Sequence, residues 1–149
     1  MDVTQFTNED PTAGDDNVTT AFNSEVVVNV LGNDNDPDGD GLSVTGVTQG
    51  ASGLVDLTDG VVTYTPNAGF SGDESFSSSK SDATGGPEPA TVNVTVDPQP
   101  NSNPDAMDDS VTTAFNSAIV VNVLANDSDP DTGDTLSVTG VTQGASGTV

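Results

Sequence analysis

The sequence predicts an all-β fold, an antiparallel β-sandwich of about seven strands followed by an incomplete second copy. Short β-branched runs recur at roughly ten-residue spacing and are separated by turn residues, which is typical of a sandwich. A long block also repeats within the chain. No segment combines helical periodicity with capping residues, so helices are not predicted.

Seven segments of the first copy are predicted to be strands. Each is rich in valine, threonine or aromatic residues and is bounded by Gly, Pro, Asn, Asp or Ser. They cover residues 17–21, 25–31, 42–49, 53–57, 61–65, 75–81 and 90–97. Asp59 and Gly60 form a hairpin turn signal between two of them. Alternate valines are predicted to fill the core together with larger side chains, namely Leu31, Leu42, Tyr64, Phe70 and Phe76.

The repeat defines the predicted domain organisation. Residues 11–55 recur at 104–149 with an offset of 93 up to Asp38 and 94 after it, because the second copy has one inserted residue. We predict an acidic lead-in at 1–10, a complete repeat at 11–97, a Pro-rich linker at 98–104 and half a repeat at 105–149. That half buries too little apolar surface to close two sheets alone. Either the sequence is a piece of a longer array, which we favour, or another chain supplies the missing strands.

Composition disfavours several classes of function. The chain has a net charge of −23, with a single lysine and no arginine, histidine or cysteine. It has no cluster of cations to neutralise phosphates, so nucleic-acid binding is not expected, and an anionic membrane surface would repel it. No apolar run reaches the length of a membrane span. Without histidine or cysteine, histidine catalysis, thiol chemistry and zinc sites built on those ligands are impossible.

The most distinctive stretch is the acidic loop at residues 33–41, which reads NDNDPDGDG. Its alternating carboxylates repel one another by about a kcal/mol per pair at moderate dielectric unless they are solvated or wrap a cation. Asp34, Asp36, Asp38 and Gly39 match the opening of an EF-hand loop, but the twelfth position is Thr45 and strands flank the loop. It is therefore not an EF-hand. Hard oxygen ligands on a tight turn still suit Ca²⁺, and a solvated acidic turn is the alternative.

Several motifs in order resemble the bacterial cadherin-like and Ig-like tandem repeats of large surface adhesins, biofilm proteins and polysaccharide-degrading enzymes. They are DDNVTTAFNSEVVVNVLGNDNDPD at 15–38, LSVTGVTQGASG at 42–53, GVVTYTPNAGFSGDESF at 60–76 and ATVNVTV at 90–96. The resemblance covers 11–97 and, as a half, 104–149. It implies an Ig-like sandwich that is extracellular, often calcium-dependent and non-enzymatic.

The resemblance also extends the candidate calcium ligands. Cadherin-type repeats hold ions at domain junctions, which adds the acidic pair that precedes the first strand. The predicted set is Asp15, Asp16, Asn33, Asp34, Asp36, Asp38 and Asp40, repeated as Asp108, Asp109, Asn126, Asp127, Asp129, Asp131 and Asp134. The insertion in the second loop puts the last carboxylate in doubt as a shared ligand. Asp73, Glu74 and Asp97 are further candidates for completing a site between domains.

One strand departs from the family pattern. Where the family alternates Phe-x-Tyr-x-Val before a Ser-Asp-Gly turn, this chain reads FSSSKSDA at 76–83. Strand periodicity places Phe76, Ser78 and Lys80 on the inner face, where serine and lysine pack poorly. The strand is therefore predicted to pack weakly or to end outside the sandwich. Lys80 is either a solvated edge-strand lysine or the donor of an intramolecular isopeptide bond to an Asn or Asp.

The function predicted from the sequence is a non-catalytic structural or adhesive repeat of a secreted or cell-surface bacterial protein. Its expected partners are neighbouring repeats, with Ca²⁺ rigidifying the acidic loops and junctions. Glycosidase activity is not expected, because the acids lie in Gly/Pro loops without an apolar wall to raise a pKa. Two alternatives stay open. One is a calcium-dependent carbohydrate-binding module for surface or matrix polysaccharide. The other is a filament in which other copies of the chain exchange strands.

Overall fold

A computed structural model describes residues 7–149, so the first six residues of the predicted lead-in lie outside the described part. The chain divides into two compact units, and the boundary along the sequence falls between Gln99 and Pro100. All the strands of the described residues belong to the first unit, and none of these residues forms a helix. The described part thus contains no helix long and apolar enough to cross a membrane.

Seven strands build the first unit. They are β1 (Asp16–Thr20), β2 (Val26–Val28), β3 (Ser43–Val47), β4 (Gly53–Thr58), β5 (Val61–Pro66), β6 (Gly72–Ser81) and β7 (Glu88–Val96). The predicted strand at 25–31 is too long, because a turn begins where the Val30 N–H donates to the Val28 carbonyl. The hairpin between β4 and β5 is confirmed. Asp59 and Gly60 both have positive φ, as a tight hairpin turn with the right-handed strand twist requires.

Two sheets face each other, one with strand order β1-β7-β6-β3 and the other with order β2-β5-β4. All the neighbouring pairs are antiparallel except β1 and β7, which run parallel from Asp16 beside Val92 to Thr20 beside Val96. Seven strands in two sheets confirm the predicted β-sandwich, and this parallel pair is the one departure from its antiparallel pairing. Because β1 lies beside β7 and β3 lies beside β6, β6 and β7 are the interior strands of the larger sheet.

The core lies between the sheets and is built mainly from valines. Alternate residues of β7 point inward, and Val92, Val94 and Val96 are almost fully buried. Tyr64 of β5 stacks on Phe76 of β6 with ring centroids 6.2 Å apart. The other predicted core side chains lie at its margin, because Leu31 and Phe70 are only partly buried against it and Leu42 is half-buried.

The second unit repeats the turns of the first unit but not its strands. Its described backbone pairing is an isolated bridge between Asp105 and Ser128, equivalent to the bridge between Thr12 and Asn35. The half repeat therefore does not form the first strands of a sandwich. Val28 is 5% exposed in the first unit, whereas its equivalent Val121 is 37% exposed. In the first unit the equivalent strands β1, β2 and β3 pair with β7, β5 and β6 respectively.

The turn after β6 contains a strained residue. Ala83 has a φ of 78°, in the left-handed region that glycine adopts without a steric penalty, at the position where the family pattern has glycine. We expect Ala83→Gly to raise the free energy of unfolding by about 1 kcal/mol, since a left-handed conformation costs an L-residue roughly 1–2 kcal/mol. Thermal unfolding followed by circular dichroism should show a midpoint higher by about 4–8 °C.

The matched control is Ala51→Gly, which makes the same chemical change at an exposed position of a loop. Ala51 is not among the residues with positive φ, so the substitution only increases the conformational entropy of the unfolded chain. The midpoint should fall in this variant. A fall in both variants would show that the left-handed conformation of Ala83 is not strained.

Candidate functional site

The acidic loop of the first unit is held against the segment that precedes β1. Thr12 and Asn35 exchange two backbone hydrogen bonds of 2.7 and 3.1 Å. The Gly14 N–H donates to Asp34 Oδ1 at 2.8 Å, and the Glu9 N–H donates to Asp38 Oδ2 at 2.7 Å. These contacts fix the loop at the end of the sandwich where the chain enters β1.

Asp36 organises the turn itself. Its Oδ1 accepts hydrogen bonds from the N–H groups of Asp38 at 2.8 Å and Asp40 at 3.2 Å, which makes an Asx-type turn closed by Gly39 in the left-handed region. The residue is only 7% exposed, yet its Oδ2 atom has no hydrogen-bond partner among the described residues. Buried carboxylate oxygens are normally satisfied. This oxygen therefore remains available to a cation, at the edge of a shallow depression that Asp34, Asp40 and Leu42 also line.

The second acidic loop has a tighter arrangement. Asp129 Oδ1 accepts the Asp131 N–H at 2.8 Å, in the same way as Asp36 accepts the Asp38 N–H. Carboxylate oxygens of Asp129, Asp131 and Asp134 all lie within 4.8 Å of one another. The residue inserted in this loop therefore does not remove Asp134 from the cluster. Carboxylate oxygens at this spacing suit Ca²⁺, which takes six to eight oxygen ligands.

The remaining predicted ligands make other contacts. Asp15 Oδ1 accepts the Thr91 N–H at 2.8 Å, and the Asn33 amide donates to the Asp15 carbonyl at 2.8 Å. The Asn126 amide donates the equivalent hydrogen bond to the Asp108 carbonyl, and the Asp127 carboxylate accepts the Met107 N–H. Asp109 is exposed. The Asp15 carboxylate thus binds β7, whereas the contacts of Asn33, Asn126 and Asp127 fasten each acidic loop to the segment that precedes it in its own unit.

The other candidate acids, which lie in β6 and just after β7, are also held by hydrogen bonds. Asp73 accepts the Thr95 hydroxyl at 2.9 Å, and Asp97 donates its N–H to the Thr20 carbonyl. Burial alone would raise the pKa of Glu74, but hydrogen bonds from the N–H groups of Ser52, Ser75 and Ala51 lower it. Glu74 therefore serves to close the loop before β4.

Lys80 lies inside the sandwich. Its side chain is fully buried, with Nζ 3.5 Å from Asp34 Oδ2 and 3.7 Å from Asp16 Oδ2. The periodicity prediction for Phe76, Ser78 and Lys80 is right, because all three are buried. The expectation that the strand ends outside the sandwich is wrong, and so is the solvated edge lysine, because β6 is an interior strand. The ammonium can occupy this inward position, which an apolar side chain would normally fill, because two buried carboxylates face it.

This cluster, formed by Asp16, Asp34 and Lys80, carries one excess negative charge in a buried place. Burial raises the pKa of Asp16 more than the attraction of Lys80 lowers it, and the neighbouring Asp34 charge adds to the rise. Within residues 7–149, the nearest oxygens of both acids and the Nζ atom have no hydrogen-bond partner. Sequence reasoning placed Lys80 inward but did not pair it with these acids, because the contacts link positions far apart in the chain.

Asp82 ties the turn after β6 to the lead-in. Its carboxylate accepts the N–H groups of Thr84 and Gly85 and the side-chain amide of Asn8. These hydrogen bonds, with that from Gly85 the strongest, lower the pKa of Asp82 to about 2. Sequence reasoning did not single out this residue, although an aspartate at a turn is the usual signal for such caps.

Structural comparison finds eight solved chains that match. One is a nucleoside hydrolase-related hypothetical protein from Saccharophagus degradans associated with carbohydrate metabolism, with 15% identity, a TM-score of 0.42 and coverage of 60% of this chain and 26% of that one. Another is an endo-fucoidan hydrolase of glycoside hydrolase family 107, with 16% identity, a TM-score of 0.43 and coverage of 66% and 15%. The chain thus spans about a quarter or less of the length of these proteins.

A search of curated proteins finds no match. The family model described as bacterial Ig domain matches residues 8–95 and again residues 101–149. The first match spans the seven strands of the sandwich, and the second spans most of the second unit. Domains of this family are generally non-catalytic and usually occur in extracellular surface proteins. From the two matches and the two-sheet fold, the chain belongs to the bacterial Ig domain family.

Proposed function

We propose that the chain is a structural repeat of an extracellular bacterial protein, where it works as a spacer in an adhesive array stabilised by Ca²⁺. The observation that carries the spacer role is the parallel pairing of β1 with β7. Where first and last strands run parallel, the chain enters a domain at one end and leaves it at the other. Repeats of this kind join end to end and extend a protein with each copy added.

The contacts at the two ends of the first unit support this role. Asn8 and Asp10 bind the turn between β6 and β7, where the chain enters the domain. The Asp97 N–H binds the Thr20 carbonyl at the far end of β1, where the chain leaves. The nine residues of β7 span about 30 Å at 3.3 Å per residue. Each repeat therefore separates its entering and leaving segments by about that distance.

The calcium part of the proposal rests on the acidic loops. Asp36 has a buried oxygen with no partner, and its equivalent Asp129 lies in the three-carboxylate cluster. The loops belong to a chain of net charge −23, and repulsion among its negative charges opposes the compact state. A divalent cation in a loop would lower that repulsion and fix the turn. Asp16 and Asp34 both face Lys80, which offsets one of their two charges, and we leave them out of the proposed ligand set.

Calcium binding should appear as a rise in the thermal midpoint of unfolding. A ligand that binds only the native state stabilises it by about 2.7 kcal/mol at a free concentration of a hundred times Kd. We expect the midpoint to rise with Ca²⁺ concentration and to return after chelation. Sodium chloride at matched ionic strength is the reference, because salt alone screens the negative charge. Equal rises in both salts would contradict a calcium site.

Matched variants locate the site. Asp36→Asn and Asp129→Asn keep the side-chain oxygen that accepts the turn N–H groups but remove the charge. Asp56→Asn makes the same change on an exposed strand residue whose carboxylate accepts the Thr58 hydroxyl. We expect the loop variants to weaken the calcium response about tenfold, which corresponds to 1.4 kcal/mol. The Asp56 variant should respond as the unmodified chain does. An unchanged response in both loop variants would place the calcium elsewhere.

A further inference from the structure

The buried cluster of Asp16, Asp34 and Lys80 has an unusual property for an ion pair. Its charged atoms lie 3.5 and 3.7 Å apart, beyond ordinary hydrogen-bond lengths, and no other group of the described residues satisfies Nζ or the two Oδ2 atoms. Taking three charges out of water is costly, and good hydrogen-bond geometry is what normally offsets that cost. The ionic form of this cluster is thus poorly compensated.

The geometry points to a covalent alternative. We propose that Lys80 Nζ and the Asp34 side-chain carboxyl carbon form an intramolecular amide bond with loss of one water molecule. The product would hold one neutral amide and one carboxylate, that of Asp16, in place of three buried charges. No cofactor, oxidant or second substrate is needed, because an ammonium and a carboxylate together have the atoms of an amide and a water.

Asp34 is the better acceptor of the two acids. It is the nearer to Nζ, and its side chain is fully buried. Its Oδ1 atom accepts the Gly14 N–H at 2.8 Å. A fixed N–H at this oxygen stabilises the negative charge that develops there when the amine attacks the carboxyl carbon. Oδ1 then becomes the amide oxygen, and Oδ2, the oxygen facing Nζ, is the one that leaves.

Asp16 is positioned to move the protons. Its Oδ2 atom lies 3.7 Å from Nζ and has no hydrogen-bond partner in the described part of the chain. In the proposed step two of the three Nζ protons pass through the Asp16 carboxylate to Asp34 Oδ2. The carbon–nitrogen bond forms, the bond from the carboxyl carbon to Oδ2 breaks, and Oδ2 departs as water. Burial of the pair keeps the reactants together and excludes the solvent that would reverse the reaction.

The bond would fasten the acidic loop to β6. Asp34 precedes the turn that Asp36 organises, and β6 is an interior strand of the larger sheet. A cross-link between distant positions restricts the unfolded chain as a disulfide does, and this chain has no cysteine for a disulfide. For a repeat in an extended array, such a link would resist unfolding from the end where the chain enters.

The presence of a single lysine and no arginine makes the test direct. The full chain is purified, denatured and measured by intact mass spectrometry, then digested with trypsin in denaturant. We expect a mass one water below the calculated value and resistance to trypsin, because an acylated lysine is not a trypsin site. The calculated mass together with cleavage after Lys80 would overturn the proposal. A loss of water with cleavage at Lys80 would also overturn it, since it indicates an aspartyl–glycine succinimide instead.

Matched variants test each role. Lys80→Arg keeps a cation that trypsin recognises, but its guanidinium stays protonated and cannot attack. It should show the calculated mass and be cut once. Asp34→Asn should lose ammonia instead of water, and Asp34→Ala should lose neither. A loss of water in Asp34→Ala would exclude Asp34 as the acceptor. Asp16→Asn should leave the chain unlinked and cleavable, and a linked Asp16→Asn chain would exclude the proton-transfer role.

Discussion

Lys80→Met should lower the free energy of unfolding of the first unit by about 3–5 kcal/mol, the cost of leaving buried charges without their partner. Methionine fills a similar volume, so the loss comes mainly from charge. Asp16 and Asp34 would then repel each other in a place where the side chain of Asp34 is fully buried. The effect holds whether Lys80 is ionic or amide-linked, because the substitution frees both acids in either state. Urea unfolding followed by Tyr64 fluorescence measures it.

Charge removal at the acids is the control. Adding Asp16→Asn and Asp34→Asn to Lys80→Met leaves a neutral cluster, and the amide oxygen introduced at position 34 still accepts the Gly14 N–H. This triple variant should recover the part of the loss that comes from charge, since replacing a buried ionic group by neutral residues of similar volume is often close to neutral. A triple variant as unstable as Lys80→Met would show that lost packing around the lysine stem or the lost cross-link, and not charge, is the cause.

The pH dependence of Lys80→Met gives a second check. The pKa of Asp16 is already raised by burial in the unmodified chain, and removal of the lysine takes away the main influence that lowers it. The folded state then binds a proton more tightly than the unfolded state does. Stability of the variant should therefore rise as the pH falls from neutrality towards the ordinary value of 3.8. An unmodified chain whose Lys80 is ionic should gain less over the same range, because the lysine charge lowers the pKa of Asp16.

How far sequence predicts structure is visible within the chain itself, since one block occurs twice. Turns that depend on neighbouring residues form in both units. Asn23 and its equivalent Asn116 have φ values of 55° and 56°, and Gln49 and Gln143 make the same pair of backbone hydrogen bonds across six residues. Such features follow from local residues, so sequence reasoning can find them.

Strands depend on distant partners. The valines of β2 pair with β5 in the first unit, but the equivalent residues 119–121 form no strand in the second unit. Dependence on distant partners also explains why the sequence did not predict the cluster of Asp16, Asp34 and Lys80. Periodicity showed that Lys80 points inward, but which acids face it depends on how β1, β6 and the acidic loop meet. The parallel pairing of β1 with β7 was missed for that reason too.

Phe76→Ala should also cost about 3–5 kcal/mol, because it removes a buried aromatic side chain and leaves a cavity. Phe76 is 3% exposed, pairs in register with Val92 and stacks on Tyr64 with an interplanar angle of 11°. Its neighbours along the inner face of β6 are Ser78 and Lys80, which provide little apolar surface to collapse into the cavity. The site therefore relaxes poorly, and the loss should lie at the upper end of the range.

Phe70→Ala removes the same side chain from the margin of the core and serves as its control. Phe70 is only partly buried against the cluster of Tyr64, Phe76 and the valines. Its substitution should cost less than half as much in urea unfolding followed by far-ultraviolet circular dichroism. Equal losses would mean that the margin and centre of this core contribute alike. A stability of about 5–15 kcal/mol is usual for a domain, so Phe76→Ala alone would remove a large share of it.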